Sequence, residues 1–453
     1  MRIAVINGSP KGKNSVTLQY VLALQKRLPD CTFSTHHVGA ELRLLEREPQ
    51  RLEGIAQDIA SCDFVLWSFP VYYTLVPGQL KRFIELVEER GLTPGFANKP
   101  ACALSTSIRF FDHTAHEYLH ELSERWDMHT FRGYSCHMDD LLHEAPRDRF
   151  LAYFEAVFRQ ARERAWPRRR YARETPVVPR RIKLPVATML QGPPRKVVLV
   201  STVEEKDGNL ARMIAYFKGC FPFAVSHFEL DEETLRSGCL GCLHCSIDNE
   251  CAIRDKASGQ LRGALHEADA IVYAAPIRDV FLDARFKMFM DRRFIDGHCP
   301  VTHGKNLGVI LSGPLRQLAN TRFLLDALAD MSAMPLLGPV TDEDPSEEIV
   351  RQLTAMADVI LRDAAPAPSP SFYTVGGMKL FRDFVWSNSA IFPADHRYYK
   401  KHKFYDFPQK QVGKRLQNLG MSVAFAVPQV RKAVWSKMIH YMLTPYQKAI
   451  EKL

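Results

Sequence analysis

No stretch of this sequence reaches eighteen consecutive apolar residues, so a membrane-spanning helix is not expected. The opening MRIAVINGSP lacks the basic-then-apolar pattern of a secretory leader and reads instead as a short strand running into a turn. Cysteine is scarce, ten in 453 residues, and without a leader it does not suggest a disulfide framework; the expectation is a reducing, cytoplasmic setting. A net excess of basic charge is missing from most of the chain. The formal net charge is +9, yet Pro366 to Leu453 alone holds fourteen Lys and Arg against four Asp and Glu. The remainder is near neutral, which excludes the protein-wide basic footprint of a dedicated nucleic-acid binder. Also absent are a Walker loop and a G-x-G-x-x-G fingerprint.

What is present is length and repetition. A chain of 453 residues exceeds one ordinary core and implies two or three domains. Arg2 to Ile6 (RIAVI) is echoed by Lys196 to Val200 (KVVLV), and Asp63 to Pro70 (DFVLWSFP) by Asp269 to Pro276 (DAIVYAAP). Beyond each proline the match is gapless: Lys81 and Phe83 answer to Lys287 and Phe289. Between the first strand and the proline the second copy holds twelve additional residues. In that interval lies GCLGCLHCSIDNEC, residues 238 to 251.

Wholly apolar strands alternating with helical patterns predict parallel sheets covered on both faces, hence two doubly wound α/β domains. The expected organisation is 1–160, a first α/β domain; 161–195, a Pro/Arg-rich linker; 196–363, a second α/β domain; 364–372, a second linker; and 373–453, a basic, mainly helical tail. Arginines of the first linker could touch nucleic acid, but a solvated or domain-clasping linker is the plainer reading.

The first copy carries three loops at one sheet edge. Strand RIAVI runs into Asn7–Thr17 (NGSPKGKNSVT) and then a helix, so backbone N–H groups, the helix dipole, the hydroxyls of Ser9, Ser15 and Thr17 and the charges of Lys11 and Lys13 suit a phosphate monoester. The plain alternative is a strand–helix turn with a Ser cap. The next strand ends at Pro70-Val71-Tyr72-Tyr73, able to line a flat ring or to be core, and a third ends at Ser105-Thr106-Ser107. These loops meet where ligands of open α/β sheets bind.

Together, NGSPKGKNSVT, SFPVYYTLVPGQLKRFIE and the strand into LSTS resemble the flavodoxin-like, NAD(P)H-dependent FMN reductase family, well over residues 1 to about 150 and more weakly from 196 to about 345. The resemblance implies two flavodoxin-like domains in tandem, an FMN phosphate held by Ser9, Lys11, Ser15, Val16 and Thr17, and an isoalloxazine ring against Pro70, Val71, Tyr72 and Tyr73. Ser105, Thr106 and Ser107 would lie near the ring's pyrimidine edge. It implies NAD(P)H as reductant, small-molecule or protein electron donors and acceptors, and leaves room for a homodimer. Val16 departs from the family, which commonly has Asn there. No protein residue need be a chemical catalyst, because the flavin carries the chemistry. His113 and His116, three apart, could donate protons near the ring or serve as surface or cap histidines.

The second copy is spoiled at the matching positions. Its loop, residues 201 to 210, places Glu204, Glu205 and Asp207 where a phosphate would sit, and Ile277-Arg278-Asp279-Val280 lacks the aromatic pair, so no FMN is expected there. Its cysteines, Cys239-x2-Cys242-x2-Cys245-x5-Cys251, are compact enough to wrap one [4Fe–4S] cluster and resemble the iron–sulfur flavoprotein branch of that family. Zinc and free or redox-active thiols remain alternatives. His244 is read as a bystander. An intact flavin site in one copy and cysteines in the other predict electron exchange between them. The rival reading is a non-enzymatic redox carrier or sensor that docks a partner or a membrane through the basic tail. For that tail, a helical extension packed on the domains is the plain expectation, and a protein or peripheral membrane contact the alternative.

Overall fold

The computed structural model describes residues 1–173, 175, 180–202, 208–363, 365–437, 440 and 444. The chain divides into two compact units, Met1–His396 and Arg397–Leu453.

The first unit holds two six-stranded sheets. In the first, β1 (Arg2–Asn7), β2 (Thr32–His36), β3 (Phe64–Pro70), β4 (Pro100–Ser107) and β5 (His129–Thr130) lie in the order β2-β1-β3-β4-β5, with β6 (Tyr134–His137) also on β4. All of these pairings are parallel. The second sheet repeats the order with β7 (Val197–Ser201), β8 (Ser226–Glu229), β9 (Ala270–Arg278), β11 (Asn306–Ser312) and β12 (Leu336–Thr341), as β12-β11-β9-β7-β8. β10 (Phe281–Leu282) adds a short antiparallel hairpin to β9. All eight residues of β4, and all but the last of β3, are buried, as continuous apolar strands covered on both faces should be. Two doubly wound sheets in tandem, followed by a helical C-terminal region, are therefore the architecture the alternating pattern predicts.

The two halves share a core. One hydrophobic cluster runs from Ala4, Trp67 and Leu80 to Phe286, Phe289 and Leu311. Its seam is helix Gly78–Glu89 against helix Ala284–Arg292. A Cβ on Gly78 would fall 2.6 Å from Met288 Cγ, so glycine is what lets the two helices approach this closely. The contacts across the seam are reciprocal. Lys81 Nζ donates to the Arg278 carbonyl at 2.8 Å, and Lys287 Nζ to the Tyr72 carbonyl at 3.0 Å. The Gly78 N–H donates to Asp291 at 2.7 Å, and the Ala284 N–H to Glu85 at 2.6 Å. Corresponding residues stand 287 − 81 = 206 positions apart, so the repeat builds an internal pseudo-dimer with an isologous interface.

The connecting segment clasps both halves. The Arg170 N–H donates to Glu124 at 2.8 Å and the Tyr171 hydroxyl to Glu117, while the Thr175 N–H donates to Gln317 at 2.7 Å and Ile182 is fully buried in the second domain's core. Helix Phe372–Ser387 also packs on the α/β body, through Phe110 with Phe381 and Phe111 with Tyr373. No helix among the described residues is long and apolar enough to cross a membrane.

Candidate functional site

The three loops named from the sequence do come together at the C-terminal edge of the first sheet. The phosphate-type loop is held from within. Asn7 Nδ2 donates to the Gly12 carbonyl at 3.0 Å, Asn7 Oδ1 accepts the Ser9 N–H at 3.2 Å, and the Gly8 N–H reaches the Ser68 carbonyl at 2.9 Å. Ser9, Ser15 and Thr17 are buried. Ser15 stands at the N-cap of helix Val16–Arg27, yet its side chain makes no capping bond. The first-turn N–H groups of Val16, Thr17 and Leu18 have no intrahelical acceptor, so they are left to an external one.

The hydroxyl loop is largely committed to the scaffold. Thr106 and Thr17 share a hydroxyl–hydroxyl bond of 2.6 Å, which ties β4 to the phosphate-type loop and leaves one hydroxyl proton of the two available. The Ser105 hydroxyl bonds His116 Nε2 at 2.8 Å, and Ser107 Oγ accepts the Arg109 N–H at 2.8 Å. His113 is exposed. The Nδ1 of His116 is shut from solvent with no partner among the described residues, and burial pushes its imidazole down to about 4, so it is neutral near pH 7.

The aromatic loop is a tight hairpin. Tyr72 and Leu75 exchange backbone bonds of 2.8 and 3.0 Å, with Tyr73 and Thr74 at φ 41° and 70°. Its rings face the other domain: Tyr72 and Tyr73 meet the edge or face of Phe294 at centroid distances of 5.5 and 6.1 Å. Pro70 and Val71 are only partly buried. The second domain repeats the hairpin at Asp279 and Val280, φ 44° and 59°. There, in place of aromatics, a cavity of about 270 Å³ is lined by Glu85, Glu88 and Glu89 together with Arg278 and Asp279. Residues 203 to 207, the acidic part of the second copy's loop, lie outside the described residues.

The cysteine segment lies across this edge. Gln79 Nε2 of the first domain donates to the Cys239 carbonyl at 3.0 Å. A Cβ on Gly241 would fall 2.0 Å from the Tyr72 hydroxyl and 3.0 Å from Lys11 Cε, and Gly241 has φ +64°. Only glycine meets both conditions. The cysteine loop thus touches the phosphate-type loop and the aromatic loop at once. Cys245 Sγ donates to the Phe294 carbonyl at 3.4 Å, while Cys239 and Cys251 sulfurs accept the Gly241 and Ile253 N–H groups, both at 3.4 Å. Cys239, Cys242 and Cys245 lie within electrostatic reach of one another, and Cys245 of Cys251. Burial first, then these neighbours, hold the thiols of Cys239 at about 12 and Cys245 at about 11. Burial, with Cys239 beside it, also raises the Tyr72 phenol well above its ordinary value. His244 is exposed. Among the described residues no three His, Cys, Asp and Glu side chains converge to hold a metal ion. Sequence reasoning did not find Gln79, Asp291 and Phe294, and marked Lys287 only as the repeat mate of Lys81; all four shape this edge from the domain seam.

Residues 1–140 match the family model described as NADPH-dependent FMN reductase. A curated relative, an iron–sulfur flavoprotein from Archaeoglobus fulgidus, is 33% identical over 121 residues, which is 26% of this chain and 53% of the relative. The chain therefore spans about half the length of that relative. Among solved structures, an apo NADH:FMN oxidoreductase is similar at 19% identity over 34% of this chain and 87% of its own, with a TM-score of 0.30. A flavoenzyme NAD(P)H:(acceptor) oxidoreductase from Paracoccus denitrificans is similar at 19% identity over 36% of this chain and 97% of its own, also with a TM-score of 0.30.

Proposed function

We propose that this chain is an NAD(P)H-dependent, FMN-containing oxidoreductase in which Cys239, Cys242, Cys245 and Cys251 hold a [4Fe–4S] cluster beside the flavin. The observation that carries the reading is Gly241, set between two of those cysteines and pressed against both Tyr72 and Lys11. A flavin accepts two electrons as a hydride and can release them singly, and a one-electron cluster alongside it is the natural recipient. The uncapped start of helix Val16–Arg27, with Ser9, Ser15, Thr17 and Lys11, holds the phosphate. Pro70 and Val71 flank the ring, and Ser105, Thr106 and Ser107 fix the edge on which it lies, through their bonds to His116, Thr17 and Arg109. Neutral His116 can hold a proton only weakly, so it acts through Ser105 as a positioning group.

The donor chemistry of the cysteine loop fits a cluster: four soft thiols, two of them already accepting backbone N–H groups, with no carboxylate bond to their sulfurs among the described residues. Drawing all four onto one cluster requires the loop from Cys239 to Cys251 to contract. The second domain takes no flavin in this reading, because Glu85, Glu88 and Glu89 line the place a ring would occupy. Its contribution is structural and electronic: Lys287 and Asp291 brace the aromatic loop, and its cysteines cover it. One chain thereby supplies both halves of the pair.

The test is anaerobic purification followed by a visible spectrum, iron and sulfide assays, and NAD(P)H turnover. Flavin bands over broad absorption, with about four irons per chain, support two adjacent centres. A clean flavin spectrum without iron removes the cluster and leaves a flavin reductase with free thiols. Flavin reduced only by a protein donor, without NAD(P)H turnover, replaces the enzyme with a redox carrier.

A further inference from the structure

The unit Arg397–Leu453 carries a surface that the flavin chemistry does not use. Helix Val412–Phe425 places Val412, Leu416, Leu419 and Val423 at i, i+4, i+7 and i+11, a single line along one face. Their exposures are 61, 64, 63 and 67%, far above those of side chains packed in a core. The helix does have an internal partner, but on its other side: Phe425 packs edge-on against Trp435 of helix Pro428–Ser436 at 5.4 Å. Trp435 itself remains 57% exposed. Among the described residues an aromatic contact thus closes the hairpin, while its aliphatic line stays exposed.

Charge narrows what can cover it. Between Phe407 and Lys437 the sequence has Lys410, Lys414, Arg415, Arg431, Lys432 and Lys437 and not one Asp or Glu. A second copy laid on this face would bring cation against cation. The two helices have 14 and 9 residues, far short of the roughly 20 that cross a bilayer. An aliphatic line on a short helix, an exposed tryptophan and Lys and Arg in a stretch without Asp or Glu are the combination that seats a helix in the plane of an anionic lipid interface.

We infer that helices Val412–Phe425 and Pro428–Ser436 form a lipid-surface anchor, with Val412, Leu416, Leu419 and Val423 entering the acyl boundary and Lys414, Arg415, Arg431 and Lys432 meeting anionic headgroups. The inference is independent of the flavin reading. It is tested by flotation of the full chain with phosphatidylcholine vesicles and with vesicles containing about one-third phosphatidylserine. The chain should float with the anionic vesicles, weakly or not at all with the neutral ones, and less as salt rises. Leu416→Glu with Leu419→Glu should lower partitioning by at least about tenfold, and replacing Lys414, Arg415, Arg431 and Lys432 by Gln should do so by a comparable factor. Circular dichroism and thermal unfolding establish that each variant is folded. Wild-type protein that stays at the bottom, that floats equally with both vesicles, or whose Leu416/Leu419 variant floats unchanged overturns the anchor. A wild-type dimer in sedimentation velocity that the same variant dissociates, without vesicle binding, assigns the face to a second copy instead.

Discussion

Lys287 of the second domain donates to the Tyr72 carbonyl of the first, and its mate Lys81 donates to the Arg278 carbonyl of the second. Each lysine is fully buried and paired with an acid one turn on, Lys287 with Asp291 and Lys81 with Glu85. The symmetry is incomplete in a useful way. Glu85 also bonds Arg82 at 3.3 Å, whereas Asp291 has Lys287 and the Gly78 N–H.

Lys287→Met and Lys81→Met should both destabilise the seam. The first takes from the buried Asp291 its cation among the described residues, a loss of about 3–5 kcal/mol; the second leaves Glu85 with Arg82 but takes Lys81 from the partly buried Asp279, 3.6 Å away. Only Lys287→Met loosens the Tyr72 hairpin, so only it should weaken FMN binding, by about tenfold or more. Urea unfolding and flavin titration of the two variants decide this. Equal costs would mean the two halves of the seam are energetically equivalent.

Thr17 and Ser15 separate scaffold from ligand contact. Thr17→Val leaves the buried Thr106 hydroxyl without its partner and should destabilise even the flavin-free protein by about 1–3 kcal/mol. Ser15→Ala removes a hydroxyl that does not cap its own helix, so flavin-free stability should hold while FMN affinity falls. If Ser15→Ala destabilises the flavin-free protein as much as Thr17→Val, Ser15 is a scaffold residue.

The repeat was legible because parallel-sheet strands must be apolar throughout and each must be followed by a crossover helix. RIAVI, DFVLWSFP and their echoes state this directly. Lys81 and Lys287 were visible as a matched pair, but a lysine in a helix pattern ordinarily signals solvent, and nothing local says that both are buried at a seam joining the two copies. Tyr72 and Tyr73 read as ring-lining aromatics, yet both pack on Phe294, a residue more than two hundred positions away. The cysteine spacing identified four thiols; what it could not convey is that Gly241 carries them onto Tyr72 and Lys11, a contact set by tertiary packing.

Gly241 gives a direct test of that contact. Gly241→Ala places a methyl on a residue at φ +64° and within 2.0 Å of the Tyr72 hydroxyl, so the cysteine loop must move. Left-handed backbone costs a non-glycine residue about 1 kcal/mol, and the clash adds to it. Tyr72→Phe removes the atom struck, so the double variant should be less destabilised than the sum of the singles. Gly259→Ala, where nothing lies within 4 Å, is the control. Strict additivity of Gly241→Ala and Tyr72→Phe would mean the loop does not rest on Tyr72 in solution.

His116 should give the fold part of its acid sensitivity. Burial lowers its imidazole from 6.5 to about 4, which favours the neutral ring in the folded state. That contribution is complete above the unfolded value of 6.5 and is lost as pH falls through 6.5 toward 4, when the unfolded chain binds the proton first. A shift of this size corresponds to at most about 3 kcal/mol. His116→Gln keeps a donor for Ser105 and cannot titrate, so its stability should fall less steeply than wild type between pH 7 and pH 4.5. Urea unfolding at several pH values measures the difference in slope. Parallel curves for the two proteins would place the proton uptake elsewhere and free His116 of any part in acid unfolding.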